Sequence, residues 1–292
     1  MINVDQERPY RETNSKIFNY EPDTHISHRA LYHAIRDSGF AIIKGLPTAD
    51  FKRDGERLNA ALNFVSQFTF LGLPLKQNNA GDLAYLVRDE GTKVIFDEAK
   101  RPKLLEGKGS KSNAHLGFHN DAAAQWHGHQ IGVVALLAFS QAPIGGDTTL
   151  IDAREAFEIL EEENPTVADI LTNTTFYFDR SSGYDIGQRP YAESPIISLN
   201  PKFKVRYTPR IHQGFETARK NMTNLQQQAI IIWDELLERE NLQIKFKLDP
   251  GEIVFLNEDI MLHARSEYQD DVNNPRTLAR MWLNNFMQAV GY

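Results

Sequence analysis

Apolar residues recur along this chain in two rhythms, and the changes of rhythm mark its elements. From His28 to Ser38, Leu31, Ala34 and Ile35 fall on one side of a 3.6-residue repeat, which predicts a helix stopped by Gly39. Phe40-Ala41-Ile42-Ile43 then reads as a strand ending at Lys44-Gly45-Leu46-Pro47, and a second helix is expected over 49–67. Ile131 to Phe139 is apolar without interruption, as a strand buried on both faces would be. Gly145-Gly146-Asp147 predicts a turn into the strand Thr148–Ile151. Asp152 is placed to cap a helix through Glu163, and Asn164-Pro165 restarts a shorter one with proline in its first turn. Short strands are expected near 174–178, 196–199 and 204–207. The clearest helix is 222–240, with Met222, Leu225, Ala229, Ile232 and Leu236 expected on its core face. Asp249-Pro250-Gly251-Glu252 turns into the strand 253–256, and a last strand runs through 278–284. Many short strands with a few helices predict a mainly β protein, a double-sheet jelly roll flanked by helices. Residues 1–292 show no repeat and no linker, so one domain is expected.

One stretch fits neither rhythm. Between Gly72 and Asn113 the chain is rich in Gly, Asn, Lys and Asp, with a single apolar break at Val94-Ile95-Phe96. A segment so long and polar is expected to form a lid rather than core.

Composition narrows the function classes. The 292 residues carry 32 Lys+Arg against 39 Asp+Glu, a net charge of −7, with no long runs of either sign. That balance argues against a nucleic-acid or anionic-membrane surface. The absence of cysteine excludes disulfides, a thiolate nucleophile and thiolate metal sites. The apolar run at 131–139 is far short of a membrane span, and the first residues lack the basic start and apolar stretch of a signal peptide. A cytoplasmic protein is expected; nothing here speaks to its oligomeric state.

Nine histidines occur, four of them at 115, 119, 127 and 129. Phe118-His119-Asn120-Asp121 sets an imidazole and a carboxylate two apart, which on a strand share one face. Alone such a pair is a weak signal. Far downstream, Gly251-Glu252-Ile253-Val254-Phe255-Leu256-Asn257 leads to His263-Ala264-Arg265, then to Arg276-Thr277-Leu278-Ala279-Arg280. Two neutral imidazoles and one carboxylate on one face of a metal leave positions open, an arrangement suited to non-haem Fe(II) and oxygen. His-Glu-x-x-His is absent, which argues against a hydrolytic zinc enzyme.

With these residues in hand, the sequence resembles the iron(II)/2-oxoglutarate-dependent oxygenases of the taurine dioxygenase and clavaminate synthase type. Four segments carry the resemblance in order: Gly39 to Leu46, His119-x-Asp121, Gly145-Gly146-Asp147-Thr148, and His263 through Arg276-x-x-x-Arg280. It implies a double-stranded β-helix core, Fe(II) held by His119, Asp121 and His263, and 2-oxoglutarate and O2 as co-substrates. The far carboxylate of 2-oxoglutarate would meet Arg276, whose planar fork suits it, aided by Thr148. Arg276 follows His263 by thirteen residues, closer than is usual for the family, so Arg280 is the alternative for this role. Otherwise Arg280 would bind an acidic group of the substrate, with His115 lining the same cavity and Arg206 and Arg210 as further cations. His127 and His129 read as structural, and Phe118 and Trp126 as packing. Because Asp121 replaces the small residue of the halogenating relatives, hydroxylation, desaturation or ring closure of a small, carboxylate-bearing metabolite is implied. The lid at 72–113 would order over the iron site. A cupin-like jelly-roll protein or isomerase that ignores 2-oxoglutarate is the alternative from another class.

Overall fold

The ten residues Ile131–Ser140 form the strand on which the fold is built, and all but one of them are buried. The computed structural model describes residues 16–21, 26–78, 80–96, 102–104, 109–124, 131–180 and 189–284. In it, Ile131–Ser140 lies inside a six-stranded sheet, in the order 17–19, 40–44, 253–257, 131–140, 277–284 and 84–87. The first pair is parallel and the others antiparallel. A four-stranded antiparallel sheet runs in the order 244–246, 148–152, 261–265 and 116–119.

Alternation along each strand decides what faces what. In the large sheet, Val133, Ala135, Leu137, Ile253, Phe255, Ala279, Met281 and Leu283 cluster with Leu31, Ile35, Phe64 and Val65 of the first two helices. The intervening Val134, Ala138, Val254, Leu256 and Leu278 join Leu150, Phe246 and Met261 of the small sheet in a second cluster, which is the layer between the sheets. On the small sheet's other face, Ile151, Leu262 and Ala264 pack with residues of the helices Ala153–Glu163, Pro165–Asn173 and Asn224–Leu237. This is the expected jelly roll, with helices covering both outer faces.

Most predicted elements stand where the pattern put them, including His28–Ser38 and the Asp152-capped helix. Several differ. The second helix is Asp54–Val65, continued by a 3-10 turn over Ser66–Leu71. The helix expected at 222–240 is Asn224–Leu237, capped by Thr223, and it buries Ala229, Ile230, Trp233, Leu236 and Leu237. Leu225, expected inside, is 60% exposed, because the buried stripe runs through Gln226, Ala229, Ile230, Trp233 and Leu237, one position on from it. A helix at Ile211–Ala218 was not expected.

The largest difference concerns 72–113. Its first part is not an insert: Ala84–Val87 is an edge strand on Thr277–Asn284, with Ala84, Leu86 and Val87 buried. The backbone N–H of Leu75 also donates to Trp282 O, so the approach to that strand is pinned too. Three apolar residues suffice to build an edge strand, which explains why a polar composition concealed it. Beyond Val87, the described residues up to Asn113 join neither the six-stranded nor the four-stranded sheet, except that the latter's neighbour Val94–Phe96 pairs with Pro102–Leu104 in a short ladder of its own.

Candidate metal centre and the cationic pocket beside it

Asn120 organises the first half of the site. It is buried, its Nδ2 donates to the carbonyls of Val205 and Glu258, and its Oδ1 accepts from the Tyr207 N–H. With Asn120 drawn one way, its neighbours on either side are presented the other way. His119 ends the strand Leu116–His119, whereas Asp121 opens a 3-10 turn, Asp121–Ala124. The strand geometry expected for His-x-Asp is therefore corrected: a pinned asparagine brings the two together, with His119 Nε2 3.9 Å from Asp121 Oδ1.

The second half comes from the strand Met261–Arg265, in which Met261 belongs to the inter-sheet layer and Leu262 and Ala264 to the helix-facing one. His263 shares the parity of Met261 and faces inward, in register with His119; the two rings lie 4.2 Å apart. One ligand atom from each of His119, Asp121 and His263 lies within 4.8 Å of the others, as a single ion requires.

Each donor is oriented by a neighbour. His119 Nδ1 donates to Gly117 O at 2.8 Å, which leaves Nε2 with its lone pair toward the other two. His263 Nδ1 lies 4.0 Å from Glu258 Oε1, a carboxylate buried at 1% exposure. Asp121 Oδ2 accepts from Trp282 Nε1 at 2.7 Å and meets Arg280 Nη1 at 3.1 Å, so Oδ1 is left for a metal. Arg280 in turn donates from Nε to Gln77 Oε1 at 3.0 Å.

Electrostatics fit the same use. Burial pushes both imidazoles down, His263 to about 3, which keeps them neutral and able to donate lone pairs. Burial opposes the charge on Asp121, but Arg280, the two histidines and the Trp282 bond outweigh it and hold the carboxyl below its ordinary range. A neutral pair with one anion is the donor set that a divalent iron takes.

Two residue pairs along the small sheet from His263, a group of buried cations gathers near Thr148. Gly145 and Gly146 turn at φ 68° and 76°, and a Cβ on Gly146 would sit 3.1 Å from Arg276 Nε, so a side chain there would strain the turn and crowd the guanidinium. Arg276 is 3% exposed, and its Nε and Nη1 have no hydrogen-bond partner among the described residues. Buried N–H groups are rarely left so, and a carboxylate of 2-oxoglutarate would satisfy both. Thr148, expected beside it, is buried two residues past Gly146.

The other sequence candidates are placed as follows. His115 is exposed, and among the described residues no hydrogen bond or ion pair joins it to the three donors. Arg210 is near enough for its charge to push His119 down, while burial lowers both Arg206 and Arg210 themselves. Phe118 packs in the helix-facing core, as expected. Trp126, His127 and His129 lie outside the described residues. Asn120, Glu258, Gln77 and Trp282 were not singled out from sequence. Only Trp282 carried a usable signal, two residues past Arg280 on one strand.

The model of the family described as "Taurine catabolism dioxygenase TauD, TfdA family" matches residues 8–282. The "FR-33289 synthase" of Streptomyces rubellomurinus (strain ATCC 31215) is 23% identical over 256 residues, covering 84% of this chain and 69% of that protein. A uridine-5'-phosphate dioxygenase of a Streptomyces species is 25% identical over 199 residues, covering 66% of this chain and 73% of that one. Among solved structures, an asparagine oxygenase in complex with Fe(II), 2S,3S-3-hydroxyasparagine and succinate superposes with a TM-score of 0.62 at 18% identity, covering 88% of this chain and 78% of its own.

Proposed function

The chain belongs to the TauD/TfdA dioxygenase family, and from that premise we propose that His119, Asp121 and His263 hold the iron with which it oxidises a C–H bond of a small acidic metabolite. It is a non-haem iron, 2-oxoglutarate-dependent dioxygenase acting on a small molecule, and the cupin-like alternative is set aside. No described helix is long and apolar enough to cross a membrane. A cytoplasmic setting belongs to the proposal, since a cysteine-free chain has no disulfides that would suit it to an oxidising compartment.

Iron and 2-oxoglutarate, when bound, supply oxidation of the substrate by O2 as 2-oxoglutarate is decarboxylated to succinate and CO2. The chain's residues do the rest. Trp282 and Arg280 hold Asp121 by Oδ2 and direct Oδ1 at the ion. Gly117 fixes the His119 tautomer, and Glu258 stands behind His263. Arg276 takes the distal carboxylate of the co-substrate, with Thr148 alongside. Arg280, engaged through Nε and Nη1, keeps its remaining edge for an acidic group of the substrate. Arg210 and the exposed His115 are further contacts in this reading. The relatives named for a nucleotide and for an amino acid support a polar, charged substrate.

The observation that carries the proposal is the convergence of the three donors within 4.8 Å beside an unsatisfied buried arginine. Its test is succinate formation from 2-oxoglutarate with Fe(II) and ascorbate across a panel of acidic metabolites. Asp121→Ala should lower bound iron and succinate together. Full turnover with stoichiometric iron in that variant would overturn the ligand assignment.

A further inference from the structure

Arg265 shares the inward face of its strand with His263, one pleat along, and is in register with Thr148 across the small sheet. A step of two residues on a strand is roughly 7 Å, a separation that a five-carbon diacid spans when one end chelates the metal. The ladder to Leu116–His119 is irregular here: His263 pairs with His119 but Arg265 pairs with Leu116. Such bulges re-aim side chains next to active sites.

The surroundings of Arg265 are unusual for a buried cation. It is 6% exposed, and its Nη2 donates to Ser112 O at 2.8 Å and to Ala114 O. Its Nη1 is buried with no hydrogen-bond partner among the described residues. The guanidinium lies 4.8 Å from the Tyr268 ring centre, and that of Arg276 lies 5.2 Å from the same ring. The Tyr268 hydroxyl, buried too, interacts with Arg276 without completing a well-aligned hydrogen bond. Asp270 accepts the backbone N–H of Arg276 at 2.8 Å. Asp89 and Asp270 act on Arg265 from a distance, yet among the described residues no carboxylate pairs with either guanidinium. Two buried cations therefore share one aromatic ring and no carboxylate, with at best the Tyr268 hydroxyl between them, and burial this deep calls for an anion.

We propose that Arg265 is a second guanidinium of the 2-oxoglutarate pocket, receiving the distal carboxylate jointly with Arg276 and with the Tyr268 hydroxyl. The assignment rests on the reading of Arg276 given above. Arg276 approaches from the large sheet and Arg265 from the small one, so the carboxylate is gripped from both layers. Through Ser112 and Ala114, the same side chain ties the co-substrate to the segment entering the His119 strand.

The test is calorimetric titration of the Mn(II)-loaded protein without O2, using 2-oxoglutarate and 2-oxopentanoate, the same chain without its distal carboxylate. Arg265→Gln should weaken 2-oxoglutarate binding by at least about tenfold and leave 2-oxopentanoate binding unchanged. Arg265→Lys, which keeps the charge but not the planar fork, should fall between that variant and the parent for 2-oxoglutarate alone. Should Arg265→Gln fail to fold, Arg265→Lys carries the comparison. Equal weakening of both ligands, or of neither, would overturn the proposal and leave Arg265 a scaffold residue. Arg276→Gln separates the two readings. If that variant binds both ligands as the parent does while Arg265→Gln loses 2-oxoglutarate, the reading of Arg276 fails and with it the joint grip, leaving Arg265 as the sole holder of the carboxylate.

Discussion

The two oxygens of Asp121 have different duties, and that division shows how the centre is held. Oδ2 is occupied by Trp282 and Arg280, so the carboxylate cannot swing when iron leaves. His263 has a looser support, with Glu258 Oε1 4.0 Å from Nδ1, beyond hydrogen-bond reach until the ring or the carboxylate moves. Glu258→Gln should weaken Fe(II) affinity by about 10- to 100-fold, the usual cost of losing a partner behind a ligand, while thermal stability of the metal-free protein changes little. An equal loss of both would assign Glu258 to the fold instead. Proton linkage belongs to this scale as well. Burial, then the neighbouring His119, lowers His263 to about 3, and burial lowers His119. In the unfolded chain both titrate near 6.5, so below that pH the unfolded state binds more protons than the folded one. Stability of the metal-free protein is therefore fully present above about pH 6.5 and is lost as pH falls toward 3. Urea midpoints of chelator-treated protein at pH 7.5 and pH 5 should show the decline, and His263→Gln should flatten it.

At the scale of elements, the long apolar and alternating runs were legible because burial on one or both faces writes itself into composition. Ile131–Ser140 and Ile253–Asn257 are examples. The strand carrying His263 was not, since Met261-Leu262-His263-Ala264-Arg265 breaks the apolar run with the very residues that serve the site. Leu116–His119 is shorter still, and only the spacing of His119 and Asp121 suggested a strand there. The three residues proposed to hold iron were readable through the order of four segments, but the residues around them were not: Asn120 and Glu258 act through contacts across the chain that no local pattern records. The lid expectation now applies to 88–113 alone. Within it the amides of Glu90 and Thr92 both donate to Lys111 O, closing the segment on itself next to the residues that Arg265 contacts. If this segment closes over substrate, hydrogen exchange at Glu90 and Thr92 should slow when substrate joins Fe(II) and 2-oxoglutarate. Unchanged exchange with substrate bound would confine the lid to other residues.

Across the whole molecule, the two sheets contribute unequally. The small sheet brings His119 and His263, while the large one sends in Arg280 and Trp282 from its last strand and Arg276 from just before that strand. Residues 119–121 and 263 are joined when the strands 116–119 and 261–265 pair, and those strands are separated in sequence by most of the helices that cover the small sheet. Contacts between such distant positions form late in folding, because chain closure must come first. A bound metal ion should then act on escape from the native state rather than on its formation. Stopped-flow refolding in chelator and in Mn(II) should give similar folding limbs, whereas the unfolding limb should be slower with metal. The enzyme's lifetime would thus follow the iron supply: a starved cell would hold the same fold, assembled just as fast, but lost sooner.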